Sequence, residues 1–517
     1  MRKLLMGAVA AALAATLVSP TTATAALDEV NTKKLRSAVT VNGILQHERQ
    51  FQSIANTNGG TRASGTPGYD ASAQYVARML RRAGYSVRLQ EFTFPFFRDL
   101  APGTLSQVAP TPTNYETGTF DYSASGDVTG TVVPIDVEFP PAGAAGTTDS
   151  GCEAADFPAA PIGPAVALIQ RGFCNFEVKA ANAAAAGYDA AIIFNEGQEG
   201  RTELFTGTLG KPQTIPVVGL SYADAQALST AAQAGTVTVR IVTSTEVDAE
   251  RTTYNVIADS PVGAKDEVVV VGAHLDSVVA GPGINDNGSG SATILEIAEQ
   301  MAELGLTDKL QRRVRFAFWG AEENNLLGSQ YYVDSLRPNQ LARHYANLNF
   351  DMVGSPNYVR FVYDGDGSID PDDPALAGPP GSAQIENLFN GYFASQGLAT
   401  EPTAFDGRSD YGPFIAVGIP AGGLFSGAEG IKTPEEAATY GGTAGVAYDR
   451  CYHQACDTIS NLNTKALNEM GDAAAHAVLT LARSKSGLFE DGSRQANPQS
   501  RKAARADFAY QGHAAIR

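Results

Sequence analysis

Val268-Val-Val-Val-Gly-Ala273-His274-Leu-Asp276-Ser277 is the stretch on which the fold turns. Its first six residues are continuously apolar and too few for a helix, which describes a strand buried on both faces. Two runs of the same kind follow at 314–319 and 347–351, and helical stretches at 290–304 and 328–336 separate the three. Strands alternating with helices predict a mostly parallel sheet covered on both sides, a three-layer α/β sandwich. The pattern continues with a helix at 383–395, strands at 401–405 and 419–424, and a last helix at 464–483.

Each of the three strands delivers a polar side chain just past its end. His274 follows the first, Glu322 and Glu323 follow the second in Trp319-Gly-Ala-Glu-Glu, and Asp351 ends the third. Open α/β sheets place their sites at the carboxyl ends of strands. Singly, each residue has a plainer reading: a structural histidine, a helix cap, a turn residue for Asp286 in Asn285-Asp-Asn-Gly-Ser-Gly, or a solvated helix start for Glu322-Glu323. Together they form a coherent set at one sheet edge. His274, Asp286, Glu323 and Asp351, with His453 from Asp449-Arg-Cys451-Tyr452-His453-Gln-Ala-Cys456-Asp457, make two His, two Asp and one Glu, donors that suit zinc. A two-metal centre needs four terminal ligands and one bridging carboxylate, five in all.

Glu322 is then free to take a proton from an activated water and pass it to the leaving nitrogen, unless it only neutralises metal charge. Asp276, two residues after His274, is placed to orient the imidazole, or is a polar loop residue. Tyr452 can donate to a developing oxyanion, or simply pack.

Upstream, 70–83 has amphipathic helical spacing closed by Gly84, and 85–92 reads as a strand. A stretch rich in Pro, Gly, Thr and Ser runs from 95 to about 150 with short alternating β runs. A compact α/β unit follows: strands at 166–169, 190–194 and 215–220, helices at 176–186 and 221–234, and a closing strand at 236–244.

Hydrophobic content of 44% and charged content of 18% exclude wholesale disorder. Arg2 and Lys3, an apolar run at 4–18 too short to span a bilayer, and Ala23-Thr24-Ala25 read as an export signal cleaved after 25. Removing it takes the formal charge from −18 to −20, which disfavours nucleic acid and anionic membranes. A secreted, extracellular monomer is expected. Its four cysteines allow three pairings, of which the local one, Cys152 with Cys174 and Cys451 with Cys456, is favoured over a four-cysteine zinc cluster of unsuitable spacing. The polar residues 486–517 read as a flexible tail.

At these motifs the sequence resembles the two-zinc exopeptidases of the aminopeptidase Y and bacterial leucyl aminopeptidase type, especially the secreted enzymes of filamentous actinobacteria. The likeness rests on Ala273-His-Leu-Asp-Ser, Trp319-Gly-Ala-Glu-Glu, Asn349-Phe-Asp-Met, Phe405-Asp-Gly-Arg-Ser-Asp-Tyr-Gly-Pro-Phe and Cys451-Tyr-His-Gln-Ala-Cys-Asp. It implies that Asp286 bridges two zinc ions, with His274 and Asp351 on one and Glu323 and His453 on the other. It implies Glu322 as the base, Tyr452 as the stabiliser of the tetrahedral intermediate, and Arg408 and Phe425 along the substrate site. It also implies peptide substrates with a free N-terminus and a large apolar first residue. Some relatives bind calcium near the last helix; Asp472 fits that pattern, whereas Asn468 replaces an acidic position.

Cys152, Ile169-Gln-Arg-Gly-Phe-Cys174-Asn-Phe and Lys179-Ala-Ala-Asn-Ala-Ala-Ala-Ala-Gly resemble a protease-associated domain, a module without catalytic residues. The expected layout is a signal at 1–25, peptidase pieces at 27–105 and 250–485, the inserted module at 125–245 and the tail at 486–517. A carboxypeptidase, dipeptidase or cyclase on the same scaffold, and a receptor-like protein without metals, are the competing readings.

Overall fold

A computed structural model of the chain describes residues 27, 30–371 and 377–489. The expected signal and the tail from 490 onward lie outside these residues.

The α/β sandwich is present. Its sheet core runs in the order Glu401–Thr403, Phe361–Tyr363, Ala421–Phe425, His344–Asp351, Ala264–His274, Arg312–Trp319 and Thr238–Asp259. The four strands Ala421–Phe425, His344–Asp351, Ala264–His274 and Arg312–Trp319 are mutually parallel, so their carboxyl ends share one edge.

Parity along Ala264–His274 shows why helices cover both faces. Val269, Val271 and Ala273 join one core with the helices Val41–Thr57, Pro67–Arg82, Gly290–Glu303, Ser382–Ser395 and Thr464–Arg483. Val268 and Val270 point the other way, into a smaller core with Trp319, Tyr332 and Phe414. Successive strand side chains alternate faces, so a continuous valine run feeds two cores at once.

The inserted unit repeats this logic in miniature. Gly126–Ile135, Ala165–Gln170, Ala190–Phe194 and Val217–Leu220 are parallel, with the helices Phe176–Ala185 and Tyr222–Ala234 on opposite faces.

Three features differ from the sequence reading. Ser86–Ala109 is one strand of 24 residues, not a short strand followed by an irregular stretch. It pairs antiparallel with Thr238–Asp259, itself 22 residues, along its length. This ribbon crosses the expected domain boundaries, and the sheet runs unbroken from the sandwich core to the insert. Pro95 and Pro102-Gly103 read as breakers, but the ladder accommodates them at register shifts between Phe94 and Phe96 and between Ala101 and Thr104. Third, the chain stays packed past 485: Leu488 and Phe489 are buried, and Phe489 meets the Tyr345 ring.

Both local cysteine pairs are disulfides, which removes the four-cysteine cluster as an alternative.

Candidate active site

The three strand ends and two loops bring the expected residues together. His274, Asp286, Glu322, Glu323, Asp351, Arg408, Phe425, Tyr452 and His453 all line one cavity. Asp276 stands behind it, fully buried.

Local backbone makes the convergence possible. Ala321, Met352 and His453 all have positive φ, at 52°, 52° and 57°. Each is a left-handed turn at or beside a ligand-type residue, a conformation that costs a non-glycine residue about 1–2 kcal/mol. Such strain persists where surrounding contacts fix it. For His453 the Cys451–Cys456 disulfide closes the loop, and Tyr452 stacks on its ring at 3.8 Å between centroids.

Asp286 sits at the centre. Its Oδ1 is 3.3 Å from His274 Nε2 and its Oδ2 is 3.2 Å from His453 Nε2. His274 Nε2 is also 3.2 Å from Asp351 Oδ1, and His453 Nε2 is 3.0 Å from Glu323 Oε2. Zinc bonds of roughly 2.0–2.1 Å place neighbouring tetrahedral ligands about 3.3–3.4 Å apart, close to these spacings. Asp286 Oδ2 and Glu323 Oε1 are buried and make no hydrogen bond. Orphaned carboxylate oxygens beside an imidazole are costly unless a cation fills the space between them. The donor set therefore fits zinc.

The electrostatics agree. Burial opposes charge on both imidazoles, but Glu322 and Asp351 hold His274 well above its ordinary pKa, and Glu323 with Asp286 pushes His453 up to about 11. Burial raises Asp286, yet the two imidazoles more than reverse this. Glu322 is raised by burial, with His274 pulling against it and Asp351, Asp410 and Glu323 adding to the rise. The cluster draws in positive charge. Burial, then Asp286 and Glu323, raise the Tyr452 phenol, so its hydroxyl keeps its proton and stays a donor.

Asp276 touches two functional groups. Its Oδ1 lies 3.6 Å from His274 Nδ1, its backbone carbonyl is closer at 3.2 Å, and Oδ1 also accepts from the Glu322 amide at 3.3 Å. Arg408 lines the mouth, donating to Glu429 at 2.8 Å and to the Tyr452 hydroxyl at 3.4 Å.

Three supporting residues stand outside the candidate set that the sequence offers. Ser409 donates to Asp351 Oδ2 at 2.5 Å and receives Asn349 Nδ2 at 2.8 Å. Asp457 accepts from the amides of Asn285 and Asp286, both at 2.9 Å, and so ties the His453 loop to the central carboxylate. Arg62, fully buried, donates to the carbonyls of Leu275, Pro282 and Gly283. Ser409 and Asp457 lay inside quoted motifs; Arg62 carried no signal, because a lone arginine after a helix reads as surface. Asp472 belongs to none of the ligand-type clusters among the described residues.

Comparison with known proteins agrees with this geometry. Residues 255–478 match Peptidase family M28, and residues 128–228 match the PA domain. An aminopeptidase of Pseudomonas aeruginosa is 48% identical over 448 residues, covering 85% of this chain and 81% of the relative. Leucine aminopeptidase 2 of Trichophyton rubrum is 45% identical over 358 residues, covering 68% and 69%. The structure of BSAP, a zinc aminopeptidase from Bacillus subtilis, superposes with a TM-score of 0.62 at 26% identity, covering 88% of this chain and 99% of that one. With such identity over most of its length and the ligand-type residues assembled in one cavity, the chain belongs to Peptidase family M28 and carries a PA domain within it.

Proposed function

We propose that this peptidase is a secreted two-zinc aminopeptidase that removes N-terminal residues, preferentially large apolar ones, from peptides. One observation carries the reading: the two oxygens of Asp286 each face a different imidazole, at 3.3 and 3.2 Å. A carboxylate so shared suits a bridge between two cations, with Asp351 and His274 on one side and Glu323 and His453 on the other. Relatives named aminopeptidase, leucine aminopeptidase and zinc aminopeptidase support the same class.

Zinc ions held there would polarise the scissile carbonyl and acidify a water. The remaining chemistry belongs to the chain. Glu322, buried and carrying a raised pKa, takes the water's proton and delivers it to the leaving amine. Tyr452 donates its hydroxyl to the carbonyl oxygen as negative charge grows there. Asp276 holds the His274 ring and the Glu322 amide in register. The acidic wall of Glu323, Asp351 and Asp406 attracts a free α-ammonium, while Met352, Tyr363 and Phe425 offer apolar surface to its side chain. Arg408 is the one Lys or Arg among the lining residues and Glu429 already pairs with it, which favours an amine over a carboxylate as the recognised terminus.

The disulfides suit an oxidising compartment, and no helix among the described residues is long and apolar enough to cross a membrane. The test is a zinc count paired with hydrolysis of a leucyl peptide and its N-acetylated form. About two zinc ions and turnover abolished by acetylation are expected. Equal turnover of both peptides would remove the aminopeptidase reading.

A further inference from the structure

Outside the catalytic cavity, a second group of ligand-type side chains meets between three helices. His47 lies on Val41–Thr57, Tyr75 on Pro67–Arg82, and Glu296 and Glu299 on Gly290–Glu303. The two glutamates are three apart, so they share one helix face. His47 Nε2 is 3.5 Å from Glu296 Oε2 and 3.3 Å from Glu299 Oε2. His47 Nδ1 is engaged by the Tyr75 hydroxyl at 2.7 Å, which fixes the ring and aims Nε2 at the carboxylates.

We propose that His47, Glu296 and Glu299 form a further divalent-cation site of the zinc class, distinct from the catalytic pair. The spacing is the first argument. A proton shared between an imidazolium and a carboxylate draws the heavy atoms to about 2.7–2.9 Å. Here both distances are longer: that to Glu299 matches the roughly 3.3–3.4 Å edge of a zinc tetrahedron, and that to Glu296 lies about 0.1 Å beyond it. The same range recurs at His274 with Asp286 and Asp351, at 3.3 and 3.2 Å.

Enclosure is the second argument. The side chains of His47 and Glu296 are 2% and 6% exposed, while that of Glu299 is 23% exposed. The site is sealed on two sides and open on the third, which leaves an entry path and room for a water as fourth ligand. Gly43 forms the floor: a side chain there would collide with the Glu296 carboxylate. The nitrogen ligand argues against calcium, which takes oxygen donors. Tyr75 plays the outer partner that a metal-bound histidine normally has.

The place in the fold suggests a role. Gly290–Glu303 begins four residues after Asp286, and Val41–Thr57 meets it where Gly43 faces Glu296, with Ile44 and Phe51 buried in the same core. A cation joining His47 to Glu296 and Glu299 staples the N-terminal helix to the helix that leads out of the catalytic loop. It is a structural clamp and takes no part in the reaction.

The test is equilibrium dialysis of the full chain against Zn2+, comparing wild type with His47→Gln and Glu299→Gln. Wild type is expected to hold one more ion per chain than either variant, with leucyl-peptide hydrolysis unchanged. Tyr75→Phe should keep the count at saturation but weaken that ion by about 10–100-fold. Glu299→Gln alters a partly exposed carboxylate and so tests the site even if His47→Gln fails to fold. Because the readout is a difference between proteins, a wrong catalytic count would leave it intact. Equal zinc in wild type and Glu299→Gln would overturn the proposal and leave His47 as a protonated partner of two glutamates.

Discussion

Asp457→Asn probes how the central carboxylate is held. Asp457 follows Cys456 directly, is 2% exposed, and uses both oxygens on backbone donors. Asn285 N donates at 2.9 and 3.1 Å and Asp286 N at 2.9 Å, while Asn461 Nδ2 adds a third donor at 3.1 Å. An amide in this place keeps one acceptor and turns an N–H toward another N–H. The loss is one charge-assisted hydrogen bond and one buried donor left unpaired, about 2–4 kcal/mol. Since Asp457 fixes Asp286 relative to the His453 loop, part of this falls on cation binding. A share of about 2 kcal/mol corresponds to about 30-fold weaker affinity. Competition with a chelator measures the affinity, and thermal unfolding of the cation-free protein measures the rest. If both stay within about 0.5 kcal/mol of wild type, the idea that Asp457 couples these two segments is wrong.

Other expectations follow from the same geometry. Glu322→Gln should keep the fold and its zinc yet lose turnover by about 10²–10⁴-fold, read as kcat on a leucyl peptide. Tyr452→Phe removes one donor to the carbonyl oxygen and should lower kcat by about 10²–10³-fold with little change in KM. Ser409→Ala should weaken zinc retention in dialysis, because Asp351 loses the hydroxyl that holds Oδ2. At His476, burial, aided by Arg36, lowers the pKa to about 4, below the ordinary 6.5. The unfolded chain then binds the extra proton first, so this site destabilises the fold as pH falls from about 6.5 toward 4. Wild type should lose thermal stability relative to His476→Gln across that window and not above it; parallel Tm curves would contradict the sign.

The parallel strands and the side chains that meet in the candidate site were legible from local sequence. The valine run before His274, the run before Glu322-Glu323 and the run ending at Asp351 carry local signals, because a strand buried on both faces must be apolar throughout and its end must not be. His453 was legible from its short cysteine loop. Tertiary structure decided what depends on distance between remote segments. The long ribbon of Ser86–Ala109 with Thr238–Asp259 was hidden, since Pro95 and Pro102-Gly103 break the local strand pattern and only pairing across the chain supplies its hydrogen bonds. Arg62 was likewise silent: its partners are backbone carbonyls far along the chain, and backbone leaves no mark in a side-chain pattern. Asp457 stands in the cysteine-loop motif, but its grip on the Asn285 and Asp286 amides needed the fold. The opposed contacts of the Asp286 oxygens also needed the fold, because five residue types name possible ligands but only their positions in space say which oxygen faces which imidazole.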